Sequence, residues 1–289
     1  QVLAPAPTDY RKTILYNTYD VTPQLQKENA IGVILGNGRF YTMRQNYKPY
    51  KIPTFGYPKL RLNLIVEYTD GSRQTIASDI SWKLTTEGPI RNNNEYDGEE
   101  YDARKKLGDW NRAGYDDTNW ISAGRVSIPS GTLRAQMMPG MKVTESLKPV
   151  SIRKQGDKHI LDIGQNMAGW LRIRIKGQAG DSIRLRFAER LQPDGEIFTK
   201  NLRDAHCTDI YVVSGREPQD ATWAPRFVYH GFRYVEISGY PNAKTEDFIA
   251  EVVDDEMAHT GTFTCSDETL NQVLRNAFWG IRSNYKGMP

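Results

Sequence analysis

The densest run of acids is "NEYDGEEYDAR", residues 94–104. If that run is extended, alternation places Glu95, Asp97 and Glu99 on one face. Three carboxylates in a row repel unless a cation or an Arg lies close. Such a face suits calcium, sugar hydroxyls, or the acid–base pair of a glycosidase. The competing reading is a solvated edge strand whose charges deter edge pairing, and residue types alone favour it. A second run, "GDWNRAGYDDTNW" (108–120), sets Trp110, Tyr115 and Trp120 among small polar residues. Aromatic faces stack on sugar rings while Asp and Asn bind hydroxyls. Trp residues also plug the ends of β-sandwich cores, and the plug is preferred. Asp97, Glu99 and Trp110 are thus the carbohydrate-binding candidates.

Other chemistry-bearing residues read as structural. In "FVYHGFRYVEI" (227–237), alternation divides Tyr229, Gly231 and Arg233 from His230, Phe232 and Tyr234, with no family-like Ser or Cys nucleophile nearby. A strand buried on both faces accounts for it. Glu189 in "FAERLQPDGEI" reads as a strand-end carboxylate paired with a neighbouring Arg, ahead of a Pro-Asp-Gly turn. Cys207 and Cys265 form no CxxC, and the four His are scattered, so the spacing of a zinc site is missing. Two buried free thiols are expected, with one disulfide as the alternative. No catalytic set emerges from these residues.

The elements that must hold these residues are mostly strands. "KLRLNLIVEYTDGSRQTIAS" (59–78) alternates apolar and polar residues about a Thr-Asp-Gly-Ser turn, which predicts a β-hairpin. Further strands are expected in "ILYNTYDVT" (14–22) and "AIGVILGNG" (30–38). Three short ones are expected in 159–198, and others in "IYVVSG", "FVYHGFRYVEISGY" and "DFIAEVVDD". Short strands without intervening helices argue for antiparallel sandwiches. The Pro- and Gly-bearing stretch at 129–149 is the expected seam, with the boundary near residue 138. The end differs. In "CSDETLNQVLRNAFWGIRSNY" (265–285), Leu270, Val273, Leu274, Ala277, Phe278 and Ile281 form a helical stripe, with Ser266 as the N-cap.

Bulk composition agrees with a globular chain and narrows the partners. The 289 residues are 38% hydrophobic, 25% charged and 11% aromatic, enough for two domains with a proper core. A net charge of +3, spread without a basic block, gives nucleic-acid binding no electrostatic support. No apolar run reaches membrane-spanning length or resembles a signal peptide. The start at Gln1 hints at processing or a boundary, and the helix running into Gly-Met-Pro points to a domain that it leads into.

Several motifs carry a family resemblance. "TDYRKTILYNTYDVT", "NAIGVILGNG", "GEEYDAR" and "GYDDTNW" resemble the N-terminal β-sandwich of bacterial α-L-rhamnosidases. "LDIGQNMAGWLRIRIKG", "LRFAERLQPDGEIF" and "PRFVYHGFRYVEISGYP" resemble the β-domain that follows it. "FTCSDETLNQVLRNAFWGIRSNYKGMP" resembles the opening of the family's catalytic (α/α)6 barrel. The order is the family's, over nearly the whole chain. The resemblance implies an all-β fold of two antiparallel sandwiches followed by one helix that begins a truncated barrel. The domains would be 1–137 (galactose-binding-like), 138–257 (concanavalin-like) and 258–289 (start of the catalytic domain).

It also implies a function. The parent protein would be a glycoside hydrolase that releases terminal L-rhamnose by an inverting two-carboxylate mechanism, working on a rhamnose-containing oligosaccharide or glycoside. In the family the catalytic Asp and Glu residues follow "GMP", so none maps to this chain, whose main partner would be the missing barrel. Trp279, Arg282 and Asn284, nearest that acidic stretch, are pocket-lining candidates. Some members hold a calcium-dependent rhamnose site on the N-terminal sandwich, which makes Asp9 a candidate calcium and carbohydrate ligand. Here "KIPTFGYPKL" lacks the Asn expected in the later loop, and Pro7 stands where a Trp is common. No cofactor is required by the mechanism, and calcium is the one ion the resemblance raises. A periplasmic or extracellular location is expected, with the cytoplasm as the alternative. The alternative is a free-standing carbohydrate-binding or adhesion module.

Overall fold

A computed structural model describes residues 2–41 and 54–287. The first three residues of "KIPTFGYPKL" and the terminal pair 288–289 lie outside the described residues. The strands in the first half are β1 (Thr13–Tyr16), β2 (Asn63–Glu67), β3 (Arg73–Ala77), β4 (Lys83–Leu84), β5 (Ile90–Asn94), β6 (Gly98–Asp102), β7 (Ile121–Ser122) and β8 (Thr132–Ala135). There follow β9 (Met141–Leu147), β10 (Ser151–Gln155), β11 (Lys158–Arg174), β12 (Ser182–Ala188), β13 (Arg190–Leu191) and β14 (Ile197–Phe198). The last are β15 (Thr208–Val212), β16 (Thr222–Trp223), β17 (His230–Ser238) and β18 (Phe248–Asp255). The chain is mostly β, with one α-helix among the described residues, α1 (Glu268–Asn284).

One curled sheet dominates. Its path runs β5-β6-β15-β12-β17-β11-β18-β9, with β10 and β16 also on β11. The long strand β11 makes the curl. Its first half lies between β10 and β17, and its second half runs beside β18 and then β16. Within the curl, Leu171, Ile173, Leu185, Phe187, Phe232 and Ile237 are fully buried. Each such side chain contributes about 1.5–3 kcal/mol on burial, so this core holds the sheet that carries Glu99, Asp209 and His230.

The structure departs from the sequence expectations in definite places. Two strand pairs are parallel, β1 with β8 and β6 with β15, and each joins segments far apart in the chain. β5 and β6 precede the expected seam yet belong to the main sheet, while the change of sheet after β8 falls between Ala135 and Met141. The segment 30–38 forms no strand. It runs as a surface cover, with Gly32 against the Trp110 ring and Gly36 against Phe227, and Ile31 and Leu35 stay exposed. In 159–198 the first two expected strands are a single bulged one, β11. The hairpin at 59–78 is present as β2 and β3, and Asp70 Oδ1 accepts the Ser72 N–H at 2.8 Å in its turn.

The helix forms where its stripe predicts, but its cap and its packing differ. Asp267, not Ser266, is the N-cap, because Asp267 Oδ1 accepts the N–H groups of Thr269 (2.8 Å) and Leu270 (3.3 Å). That satisfies donors the first helical turn leaves orphaned. Leu270, Val273 and Ile281 remain 54%, 58% and 51% exposed, so the apolar stripe is not what seats α1 on the sheet.

Candidate functional site

The acids of 94–104 do not share a face. Glu95 to Asp97 form the turn between β5 and β6, which breaks the alternation, and their side chains diverge. Glu95 pairs with Arg39 at 3.1 Å. Asp97 Oδ1 accepts the His206 N–H at 3.1 Å. Glu99 enters the interior, 1% exposed. β6 lies between β5 and β15, so neither a solvated edge strand nor an open sugar site describes Glu99. Its carboxylate accepts the backbone N–H groups of Arg226 (3.1 Å) and Phe227 (3.0 Å). Burial pushes its pKa up to about 7, against those hydrogen bonds, and the nearby charge of Asp209 adds to the rise.

Around Glu99 sits a buried group that the sequence did not announce. Cys207 Sγ lies 3.3 Å from His230 Nδ1, and His230 Nε2 lies 3.0 Å from Asp209 Oδ1. Asp209 Oδ1 also accepts the Glu99 N–H at 2.9 Å. The order thiol, imidazole, carboxylate matches that of a nucleophile, its base and an orienting acid. Yet the His230 ring stacks on Phe187 at 4.2 Å, and Cys207 belongs to the main core. The group is sealed from substrate and acts as a buried charge network. Burial opposes a charge on His230, but Asp209 and Cys207 outweigh it and push its pKa up to about 10. Cys207 and Asp209 stand two apart on one face entering β15, and His230 opens β17. That i, i+2 pairing beside a lone strand His was the available signal.

The two cysteines are free, Cys207 buried and Cys265 only half-buried. Trp110 stacks on Trp120 at 6.3 Å, and Tyr115 meets Trp120 edge-on at 5.7 Å. Asp9 lies in the turn before β1, where Arg11 holds both its oxygens at 2.9 and 3.1 Å. Those hydrogen bonds keep its carboxyl below the usual range. A calcium ion takes six to eight oxygen ligands. Asp9 is committed to a guanidinium, and among the described residues no three His, Cys, Asp or Glu converge as a metal site. Among the described residues, Asp9 is therefore not part of a calcium site of that kind.

The remaining candidates meet at the junction of α1 with the sheet. Trp279 packs against the main core. Arg282 is not solvated. Its guanidinium reaches Asp254 on β18 at 2.7 Å, Glu145 on β9 at 2.8 Å and Thr144 Oγ1 at 3.0 Å, and lies 4.6 Å over the Trp279 ring. Asn284 turns back on its own helix, donating to the Gly280 carbonyl at 2.8 Å. Lys286 donates to the Val253 carbonyl, and Asp255 Oδ2 accepts the Gly287 N–H at 2.8 Å. Burial pushes the Lys286 ammonium down to about 8. Trp279 and Arg282 therefore fasten the helix to the sheet.

Comparison with known proteins decides the family. A profile described as alpha-L-rhamnosidase N-terminal domain matches residues 1–145. The bacterial alpha-L-rhamnosidase concanavalin-like domain matches 152–254, and the 6 hairpin glycosidase domain of the same family matches 258–289. This chain belongs to the bacterial α-L-rhamnosidase family. An alpha-L-rhamnosidase of Formosa agariphila is 37% identical over 294 residues, covering 100% of this chain and 31% of that protein. One from Streptomyces avermitilis is 37% identical over 300 residues, covering 99% of this chain and 28% of its own length. Among solved structures, the rhamnosidase of Dictyoglumus thermophilum superimposes with a TM-score of 0.90 at 38% identity, over 99% of this chain and 31% of that one. The Streptomyces avermitilis enzyme, solved with L-rhamnose, gives 0.87 at 35% identity, over 100% of this chain and 28% of the other. This rhamnosidase-family chain spans about a third of the length of such relatives.

Among the described residues no helix is long and apolar enough to cross a membrane.

Proposed function

We propose that this chain is the non-catalytic β-domain part of an α-L-rhamnosidase, a glycoside hydrolase that removes terminal L-rhamnose from rhamnose-containing glycosides or oligosaccharides. The observation that carries the reading is similarity to rhamnosidases along the full chain, at 38% identity and a TM-score of 0.90. The three matched stretches, 1–145, 152–254 and 258–289, support a division into two β-sandwich domains and the start of a helical (α/α)6 catalytic barrel near the boundaries 137 and 257.

The chemistry is then an inverting hydrolysis. One protonated carboxyl gives its proton to the leaving glycosidic oxygen, and a second carboxylate, roughly 6.5–9.5 Å away, activates water on the opposite face. Those carboxyls belong to the helical domain. Glu99, the acid here with the most raised pKa, spends both oxygens on backbone N–H groups inside the core, so it meets no substrate. The part played by this chain is to seat that domain. Arg282 and Trp279 hold α1 to the sheet on one side, and its exposed stripe of Leu270, Val273, Leu274 and Ile281 faces the barrel on the other. Contiguous apolar surface of that kind marks a contact surface. The location is periplasmic or extracellular, where such glycans are met, and the process served is polysaccharide degradation.

The test is release of the aglycone from an aryl α-L-rhamnoside. A polypeptide carrying this chain together with the helical domain turns the substrate over; absence of turnover by folded protein overturns the reading.

A further inference from the structure

A β-bulge in β11 opens a groove beside α1. Between Asp162 and Met167, strand β11 advances five residues while its partner β17 advances two, from Tyr234 to Phe232. The surplus residues Gly164, Gln165 and Asn166 leave the ladder. Bulges of this kind re-aim side chains and are frequent next to active sites. Gly164 takes φ +84°, a left-handed value that glycine adopts without strain. Asp162 braces the bulge, accepting the Gly164 N–H at 2.7 Å and the Arg233 guanidinium at 2.9 and 3.0 Å. The groove measures about 470 Å³ and is lined by the bulge, by Glu189, Arg190 and Arg233, and by Gln272 and Asn276 of α1. That size falls in the range of roughly 300–1,000 Å³ typical of small-ligand sites.

Its chemistry is rich in amides and carries, among the described residues, one charge of each sign outside any ion pair, Glu189 and Arg190. Glu189 accepts from Asn166 Nδ2 at 3.0 Å and from Asn201 Nδ2 at 3.4 Å, and among the described residues no Lys or Arg pairs with it. The sequence expectation of an Arg partner is therefore corrected: two amides hold this carboxylate. Arg190, next to it, pairs with Phe198 in the β13–β14 ladder, but its side chain has no hydrogen bond or ion pair among the described residues. Across the groove, Gln272 Nε2 donates to Asn276 Oδ1 at 2.8 Å. Near the carboxylate, on β17, lies Gly231, where an added Cβ would stand 4.0 Å from Glu189 Oε1 and meet nothing closer. A carboxylate and a guanidinium side by side cancel in net charge, which disfavours both anions and cations. Together with carboxamides they offer the hydrogen-bond acceptors and donors that neutral hydroxyls pair with.

We propose that this groove is a binding subsite for a neutral glycosyl unit, the sugar that carries the rhamnose to be removed. Its hydroxyls donate to Glu189 and accept from Arg190 and from the amides of Asn166 and Asn276. The identity of the sugar rests on the rhamnosidase reading; the groove itself rests on the bulge and its charges.

The experiment is calorimetric titration of the chain with a rhamnosyl-glucose disaccharide, using L-rhamnose alone as the control. The disaccharide binds more tightly than rhamnose. Glu189→Gln and Asn166→Ala each weaken it about tenfold, equivalent to about 1.4 kcal/mol. Gly231→Leu, whose side chain crowds the Glu189 carboxylate from β17, weakens it as well. All three variants melt like the wild type, and one that does not is set aside in favour of the other two. Equal affinity for rhamnose and disaccharide, no binding of either, or disaccharide binding that the variants keep, overturns the proposal. The same disaccharide and an aryl rhamnoside are then offered to the polypeptide with its helical domain. A fall in kcat/KM for the disaccharide alone in Glu189→Gln supports the subsite, and an equal fall for both substrates contradicts it. Hydrolysis of neither substrate by the wild type sinks the rhamnosidase reading, while the titration still judges the groove.

Discussion

Arg282 on α1 reaches Asp254 on β18 at 2.7 Å, with only 13% and 5% of the two side chains exposed. The same guanidinium also takes Glu145 and covers Trp279. A nearly buried, multiply bonded ion pair therefore ties α1 to the sheet.

Breaking that pair leaves a buried charge without its partner, which costs about 3–5 kcal/mol. Arg282→Ala lowers the melting temperature of the chain and frays the helix first, read as lost helical ellipticity ahead of the sheet transition. Removal of 266–287 lowers it as well. A melting temperature unchanged in both variants would show that α1 is merely tethered.

The opposite face of α1 behaves in the other way. Leu270, Val273 and Leu274 are 54%, 58% and 43% exposed. Changing Val273→Lys and Leu274→Glu together leaves the melting temperature of the chain unchanged and reduces its self-association in sedimentation. In the polypeptide with its helical domain the same pair of changes destabilises, because burial of each large apolar side chain is worth about 1.5–3 kcal/mol. Equal melting temperatures in that longer polypeptide would remove the barrel as the partner of this face.

Glu99 gives the fold a pH dependence of definite sign. Its folded pKa of about 7 lies above the ordinary value of 4.5, so the folded state holds the proton more tightly than the unfolded state does. The linked stability is greatest below 4.5 and is lost as pH rises through 7. Relative to Glu99→Gln, the wild type loses on the order of 3 kcal/mol between these limits. Denaturant titrations of both proteins at pH 5 and pH 8 check this; a constant difference between them refutes the assignment.

His230 titrates on the same side of the scale. Its folded pKa of about 10 exceeds the ordinary 6.5, so its contribution is complete below 6.5 and fades as pH rises through 10. His230→Phe strands Asp209 in the core and costs about 3–5 kcal/mol at pH 6. The deficit shrinks toward pH 10, and a deficit independent of pH would mean that shape alone is lost.

Local signals carried much of the fold. Alternation about a Thr-Asp-Gly-Ser turn located the hairpin of β2 and β3, and the stripe from Leu270 to Ile281 located α1. Partner choice was not local. Nothing near Glu99 in sequence says that β6 will pair in parallel with β15, more than a hundred residues on. Once it does, an apparently surface acid faces Asp209 and the backbone of Phe227. The bulge in β11 makes one strand read as two short ones, since glycine marks bulges and strand ends alike. The stripe of α1 was legible as apolar, but its exposure here and the opposite seating through Trp279 and Arg282 depend on the sheet beneath. Motif order carried the family, and it did so where residue chemistry alone gave no catalytic set.

The most direct measurement is hydrolysis of an aryl α-L-rhamnoside, run side by side on this chain and on the polypeptide that adds the helical domain. An acid and a base supplied by that domain contribute orders of magnitude in rate, so the longer polypeptide turns the substrate over and this chain releases aglycone no faster than buffer. Turnover by the chain itself, or none by the folded longer polypeptide, contradicts the account.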